Sequence, residues 1–65
     1  MQYTVTKTSS TTGYFEHNKL GEDCSGSLRF DLMNNLVDYD GVFSLPLEVI
    51  ETLRAMGITV SALFE

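Results

Sequence analysis

The stretch from Ser27 to Gly57 constrains the fold of this chain more than any other. Its first half reads S-L-R-F-D-L-M-N-N-L-V-D-Y-D-G, with apolar residues at alternate positions. That period-two pattern predicts a β-hairpin over 27–40. Asn34 and Asn35 serve as its two turn residues, because asparagine tolerates the positive φ that a tight hairpin turn demands. Met33 then faces Leu36, Leu32 faces Val37, Asp31 faces Asp38, Phe30 faces Tyr39 and Arg29 faces Asp40. Leu28, Phe30, Leu32, Val37 and Tyr39 land on one side of the hairpin. A slip of one residue would scatter them, so the pattern selects the register. Asp40-Gly41 is a second turn signal, and Val42-Phe43-Ser44 can form a further short strand.

The second half, P-L-E-V-I-E-T-L-R-A-M-G, changes to a helical period. It predicts one helix over about 46–56. Proline at the first helical position loses only an N–H that has no partner there. Glu48 in the first turn and Arg54 in the last suit the helix dipole. Val49, Ile50, Leu53 and Met56 form one apolar stripe. Gly57 and Ile58 supply the left-handed residue and the apolar contact of a Schellman end. Leu45 is a poor N-cap.

Elsewhere the signals are shorter. Tyr3-Thr4-Val5-Thr6 alternates and predicts a strand with Tyr3 and Val5 facing inward. Thr8 to Thr12 is a polar turn. Gly13 to Asn18 can be a second strand whose inward face is ambiguous, because Tyr14 and Phe15 are adjacent. Leu20 to Ser27 reads as a loop, so the course of residues 8–27 stays open. Ile58-Thr59-Val60 begins a last strand, and Ser61 to Phe64 either extends it or curls as a terminal turn. The expectation is a single α+β domain over residues 1–65: an antiparallel sheet of three to five strands with one helix packed on a face.

Composition narrows the function. A chain of 65 residues is short enough that disulfides, a metal or a partner often support the core. Cys24 is the only cysteine and His17 the only histidine, so neither an internal disulfide nor a bound metal or other cofactor is expected. Nine acids against four scattered bases give a net charge of −5. That opposes nucleic-acid binding, which needs clustered Lys and Arg to neutralise phosphates. It equally opposes docking on an anionic membrane. No apolar run approaches a membrane span, and Gln2-Tyr3-Thr4 does not read as a signal peptide. One unpaired cysteine suits a reducing, cytoplasmic setting.

Four constellations could carry chemistry. Cys24 and His17 are the minimal parts of a thiol nucleophile. Glu22 and Asp23 stand just before Cys24, however, and nearby carboxylates disfavour a thiolate. A loop thiol and a surface imidazole are expected instead, and with them a protein that is not an enzyme. Asp31 and Asp38, opposed in the register above with Asp40 two residues on, could hold a cation or dock a basic partner; a solvated face is the plainer reading. Asp38-Tyr39-Asp40-Gly41 resembles part of a calcium-binding EF-hand loop, but Leu36 and Leu47 fall where that loop needs oxygen ligands. Tyr14, Phe15, Phe30, Tyr39, Phe43 and Phe64 could stack on bases, yet with this charge core packing accounts for them better.

Residues Gly41 to Leu53, G-V-F-S-L-P-L-E-V-I-E-T-L, resemble the G-x-V-T-L-P-x-E-V-R-x-x-L segment of AbrB/MazE-type swapped-hairpin DNA-binding domains. The resemblance implies a dimeric DNA-binding module. Val42 and Ile50 stand where that family commonly has arginines, and the Gly-Asp turn that follows there is missing.

The reading that emerges is a small accessory or regulatory protein of prokaryotic or phage type, acting by protein–protein contact. A protein partner or a second copy would meet a mixed apolar and acidic patch of Asp31, Met33, Leu36, Asp38 and Asp40. The alternatives are an acidic inhibitor that imitates nucleic acid toward a DNA-binding protein, a small hydrolase or metal-dependent enzyme using Cys24 and His17 or the aspartates, and a small AbrB/MazE-like module.

Overall fold

A computed structural model describes residues 2–41 and 43–65. Alternating β-branched and aromatic residues form β1 (Tyr3–Lys7) and β2 (Thr12–His17). They are joined by the polar turn that Thr8 to Thr12 predicts. There the N–H groups of Thr8 and Ser9 both donate to the Thr12 carbonyl, at 3.0 and 3.1 Å. β3 (Gly21–Phe30) and β4 (Leu36–Gly41) follow, then α1 (Leu47–Ala55) and a 3-10 turn over Ala62–Phe64. The four strands form one antiparallel meander in the order β1-β2-β3-β4. No helix among the described residues is long and apolar enough to cross a membrane.

One face of this sheet carries the core. Phe15, Leu28, Phe30 and Leu36 come from the strands and Val49, Ile50 and Leu53 from α1; Leu45, Ile58 and Val60 close the ends. Tyr3, Val5, Tyr39 and Phe64 pack against this cluster from its margin. Phe15, not Tyr14, is the inward residue of its pair. The helix is tied to β1 by Glu48, whose Oε2 accepts from the backbone N–H of Gln2 at 2.8 Å and of Tyr3 at 3.0 Å. Its far end is the expected Schellman motif. Gly57 has φ +86°, its N–H donates to the Arg54 carbonyl, and Ile58 N–H donates to the Leu53 carbonyl. The helix starts one residue later than the sequence suggests, with Pro46 at the N-cap and no side-chain cap bond. Met56 leaves the apolar stripe: as the C-cap it is 45% exposed.

The second hairpin has the predicted strands but a different register. Leu28 pairs with Tyr39, Arg29 with Asp38 and Ser27 with Asp40, and a bulge then brings Phe30 opposite Leu36. Phe30 therefore does not face Tyr39, and Asp31 does not face Asp38. The cause is the turn, which is longer than two residues. Asp31 Oδ1 accepts from the N–H of Met33 and of Asn35, both at 2.9 Å, and Oδ2 from the Asn35 side-chain amide, also at 2.9 Å. Asn34 takes the positive φ, 62°. This closure absorbs residues 31–35, and the bulge turns Leu36 inward in place of Val37. Leu28, Phe30 and Tyr39 stay on the core side. Leu32 and Val37 do not, and Leu32 is 83% exposed at the turn.

Two further expectations change. Residues Gly21 to Ser27 are strand rather than loop, continuous with Leu28 to Phe30. Asp40-Gly41 is no turn: it lies in β4, with Gly41 opposite Gly26. Phe43 and Ser44 lie outside any strand, and Val42 is outside the described residues. At the C-terminus Thr59 makes one parallel bridge to Asn35, and the chain then curls into the 3-10 turn. Arg54 Nη2 holds this end, donating to the Val60 carbonyl and to Glu65 Oε1, each at 2.8 Å.

Candidate functional site

Because side chains alternate along a strand, the residues between the core positions share the opposite face of the sheet. Pairing sets them in rows: Thr4, Glu16 and Ser25; Thr6, Tyr14, Ser27 and Asp40; Thr12, Arg29 and Asp38. This face is made almost wholly of hydroxyls and charges, with Tyr14 as its one large ring, 41% exposed. A shallow dish of about 770 Å³ lies on it, lined by Tyr14, Glu16, Glu22, Ser25, Ser27 and Asp40. Among the described residues, no ion pair involves Glu16, Glu22, Asp38, Asp40 or Arg29, although Arg29 stands directly across from Asp38.

The sheet also ends in two edges. Asn18 N–H donates to the Gln2 carbonyl, so even-numbered residues of β1 turn their backbone groups toward β2. Tyr3, Val5 and Lys7 then turn theirs outward. Glu48 takes the Tyr3 N–H. On the other side, Phe30 N–H donates to the Thr11 carbonyl, which directs the backbone of Arg29 and Ser27 toward Asp38 and Asp40 of β4. Tyr39 and Gly41 therefore present their N–H and C=O groups at the outer edge. Among the described residues, the C-terminal segment covers only the start of that edge, where Leu36 N–H donates to the Thr59 carbonyl at 2.8 Å.

A second depression lies on the core side, between β1–β3 and the approach to α1. It is an apolar cleft of about 340 Å³ lined by Tyr3, Phe15, Cys24, Ser25, Phe43, Ser44 and Pro46. Phe15 meets Tyr3 edge-to-face at 5.8 Å and stacks on Tyr39 at 5.8 Å. Burial, with the Asp40 charge beside it, pushes the Tyr39 phenol above its ordinary range. Its hydroxyl donates to the Phe43 carbonyl.

Cys24 and His17 both lie on strands rather than in loops. Cys24 is half-buried on β3, a free thiol at the wall of the cleft. His17 ends β2 with its ring edge-on to Tyr3 at 5.1 Å. Its Nδ1 accepts from the N–H of Lys19 and of Leu20, both at 3.1 Å. Among the described residues no hydrogen bond joins the thiol to the imidazole.

The five residues of the expected interaction patch are not brought together as the sequence suggests. Asp38 and Asp40 share the open face at its β4 margin. Asp31 belongs to the turn, where the hydrogen bonds from Asn35 and Met33 hold its carboxyl below the usual range. Met33 is at the turn tip, 80% exposed, and Leu36 is core, 4% exposed. Among the described residues no group of three or more His, Cys, Asp or Glu side chains is placed to hold a metal ion. Thr6, Tyr14, Glu16 and Ser27 join the site instead. The alternation in Tyr3-Thr4-Val5-Thr6 pointed to Thr4 and Thr6, whereas nothing local marked Ser27 as a strand residue.

Compared with known proteins, the chain matches no family model, no curated protein and no solved structure. The likeness of residues 41–53 to AbrB/MazE-type domains therefore rests on those thirteen positions alone. Here Gly41 ends β4 and Leu47 to Leu53 lie in α1.

Proposed function

We propose that this protein is a binding module, an accessory or regulatory protein that acts by contact with another protein, and that the bare face of its sheet is the docking surface. The observation that carries the reading is the division of the sheet. The helix α1 covers one face, and among the described residues no layer covers the other, which carries Thr4, Thr6, Thr12, Tyr14, Ser27, Arg29, Asp38 and Asp40. Interfaces favour tyrosine and arginine among polar residues, and this face has one of each on its two inner strands, Tyr14 on β2 and Arg29 on β3. The reading gives Cys24 and His17 no catalytic role. A half-buried, unpaired cysteine suits a reducing cytoplasmic setting. The nucleic-acid-mimic alternative would gain from carboxylates gathered in a line. The hairpin turn draws Asp31 away, and Arg29 interrupts the row at Asp38.

The test is affinity capture from native lysate with three forms of the protein. One is wild type, one carries Thr6→Arg and Ser27→Arg on either side of Tyr14, and one carries Leu63→Ser on the C-terminal turn. Circular dichroism confirms that each is folded. A partner held by wild type and by Leu63→Ser, and lost from the double variant, supports the reading. Capture indifferent to the double variant removes the open face from it.

A further inference from the structure

We infer that the outer edge of β4 accepts an extended segment of a basic partner, one with Lys or Arg at alternate positions. The inference rests on the binding-module reading above and names the chemistry of the partner. A strand added to β4 would find its hydrogen-bonding groups at Tyr39 and Gly41, whose N–H and C=O point away from β3. Asp38 and Asp40 then become the non-hydrogen-bonded positions of the new ladder. Those are the positions at which facing side chains come closest. Both carboxylates are exposed, lie on the open face, and have no ion-pair partner among the described residues. Opposite charge at the two facing positions is what the ladder rewards. Tyr39 between them turns its ring toward the core side, so the intervening partner residue is apolar.

The same two aspartates argue against a second copy here. Pairing β4 with β4 of another molecule about a two-fold axis would set the Asp38 and Asp40 side chains of both copies against one another. Like charges directly opposed disfavour that ladder. The edge thus rejects itself and selects a partner of the other sign. Asp40 also lines the dish with Glu16 and Glu22, so negative charge continues inward from the edge.

The test uses isotope-labelled protein and three short synthetic peptides: one alternating Lys and Val, one alternating Glu and Val, and the Lys–Val peptide with its central Val replaced by Pro. Amide exchange and chemical shifts are read at Tyr39 and Gly41. The Lys–Val peptide should slow exchange at both amides, and the Glu and Pro peptides should not. The double variant Asp38→Lys with Asp40→Lys should weaken the Lys peptide by about tenfold and accept the Glu peptide instead. Absence of protection at Tyr39 and Gly41 would overturn the inference. So would equal binding of the Lys and Pro peptides, which marks attraction to net charge alone. If lysate capture is unchanged by the Asp38/Asp40 variant yet lost with Thr6→Arg and Ser27→Arg, the open face is the docking surface and the β4 edge is not.

Discussion

The ring of Tyr39 lies across Gly26 on the neighbouring strand, in the space where a side chain there would stand. A Cβ at Gly26 would collide with Tyr39 and come within 2.9 Å of Phe15 Cε1. The two rings stack over this gap at 5.8 Å with an interplanar angle of 28°. A glycine inside a strand usually weakens it, but here it makes room for the margin of the core. Gly26→Ala is therefore expected to destabilise by about 1–3 kcal/mol, the range for overpacking, although alanine is the better residue for chain entropy. Urea unfolding measures it. A gain in stability would show that the rings do not rest there.

Asp31 closes the β3–β4 turn with three hydrogen bonds, and they hold its carboxyl below the ordinary value of 3.8. A carboxyl depressed in the folded state contributes stability that is present above its unfolded value and lost as pH falls through its folded value. Asp31→Ala should thus lower the unfolding midpoint at neutral pH. The gap to wild type should shrink as pH drops below about 3.8, the ordinary value. A constant gap across that window would contradict the assignment.

Glu48 joins helix to sheet by accepting from the N–H groups of Gln2 and Tyr3. Glu48→Ala should cost about 1–2 kcal/mol, since a net hydrogen bond contributes about 1 and a charged acceptor somewhat more. Exposure of the Gln2 contact keeps the figure low. Amide exchange at Tyr3 should rise with it, and Glu48→Gln, which keeps an acceptor oxygen, should restore part of both. Unchanged exchange at Tyr3 would place the helix start elsewhere.

The parts of this fold that were legible in the sequence are those with local causes. The helix, its Gly57 end and the Val49-Ile50-Leu53 stripe follow from period and cap chemistry within a dozen residues. The pairing of Leu28, Phe30 and Tyr39 on one face follows from alternation. The register differs from the one alternation selects because the Asp31 side chain builds a longer turn than Asn34-Asn35 alone would, and a bulge at Val37, between the paired Leu36 and Asp38, exchanges inward and outward residues. That exchange is what misplaced the candidate patch, burying Leu36 and separating Asp31 from Asp38. β3 was half hidden for another reason. Gly21 to Ser27 has few apolar residues, and its strand character comes from pairing with β2 and from rings that need Gly26 small. Tyr14 and Ser27 entered the site only once that strand was in place.

Among the described residues, no element covers the open face of this sheet or the β4 edge at Tyr39 and Gly41. Residue-resolved hydrogen–deuterium exchange on the free protein tests this most directly. The amides of Asp38 and Asp40, bonded to β3, should exchange slowly, while those of Tyr39 and Gly41 between and beside them should exchange at rates near those of unstructured chain. Slow exchange at Tyr39 and Gly41 as well, at concentrations where the protein is monomeric, would mean that the edge is already covered, and would contradict the claim.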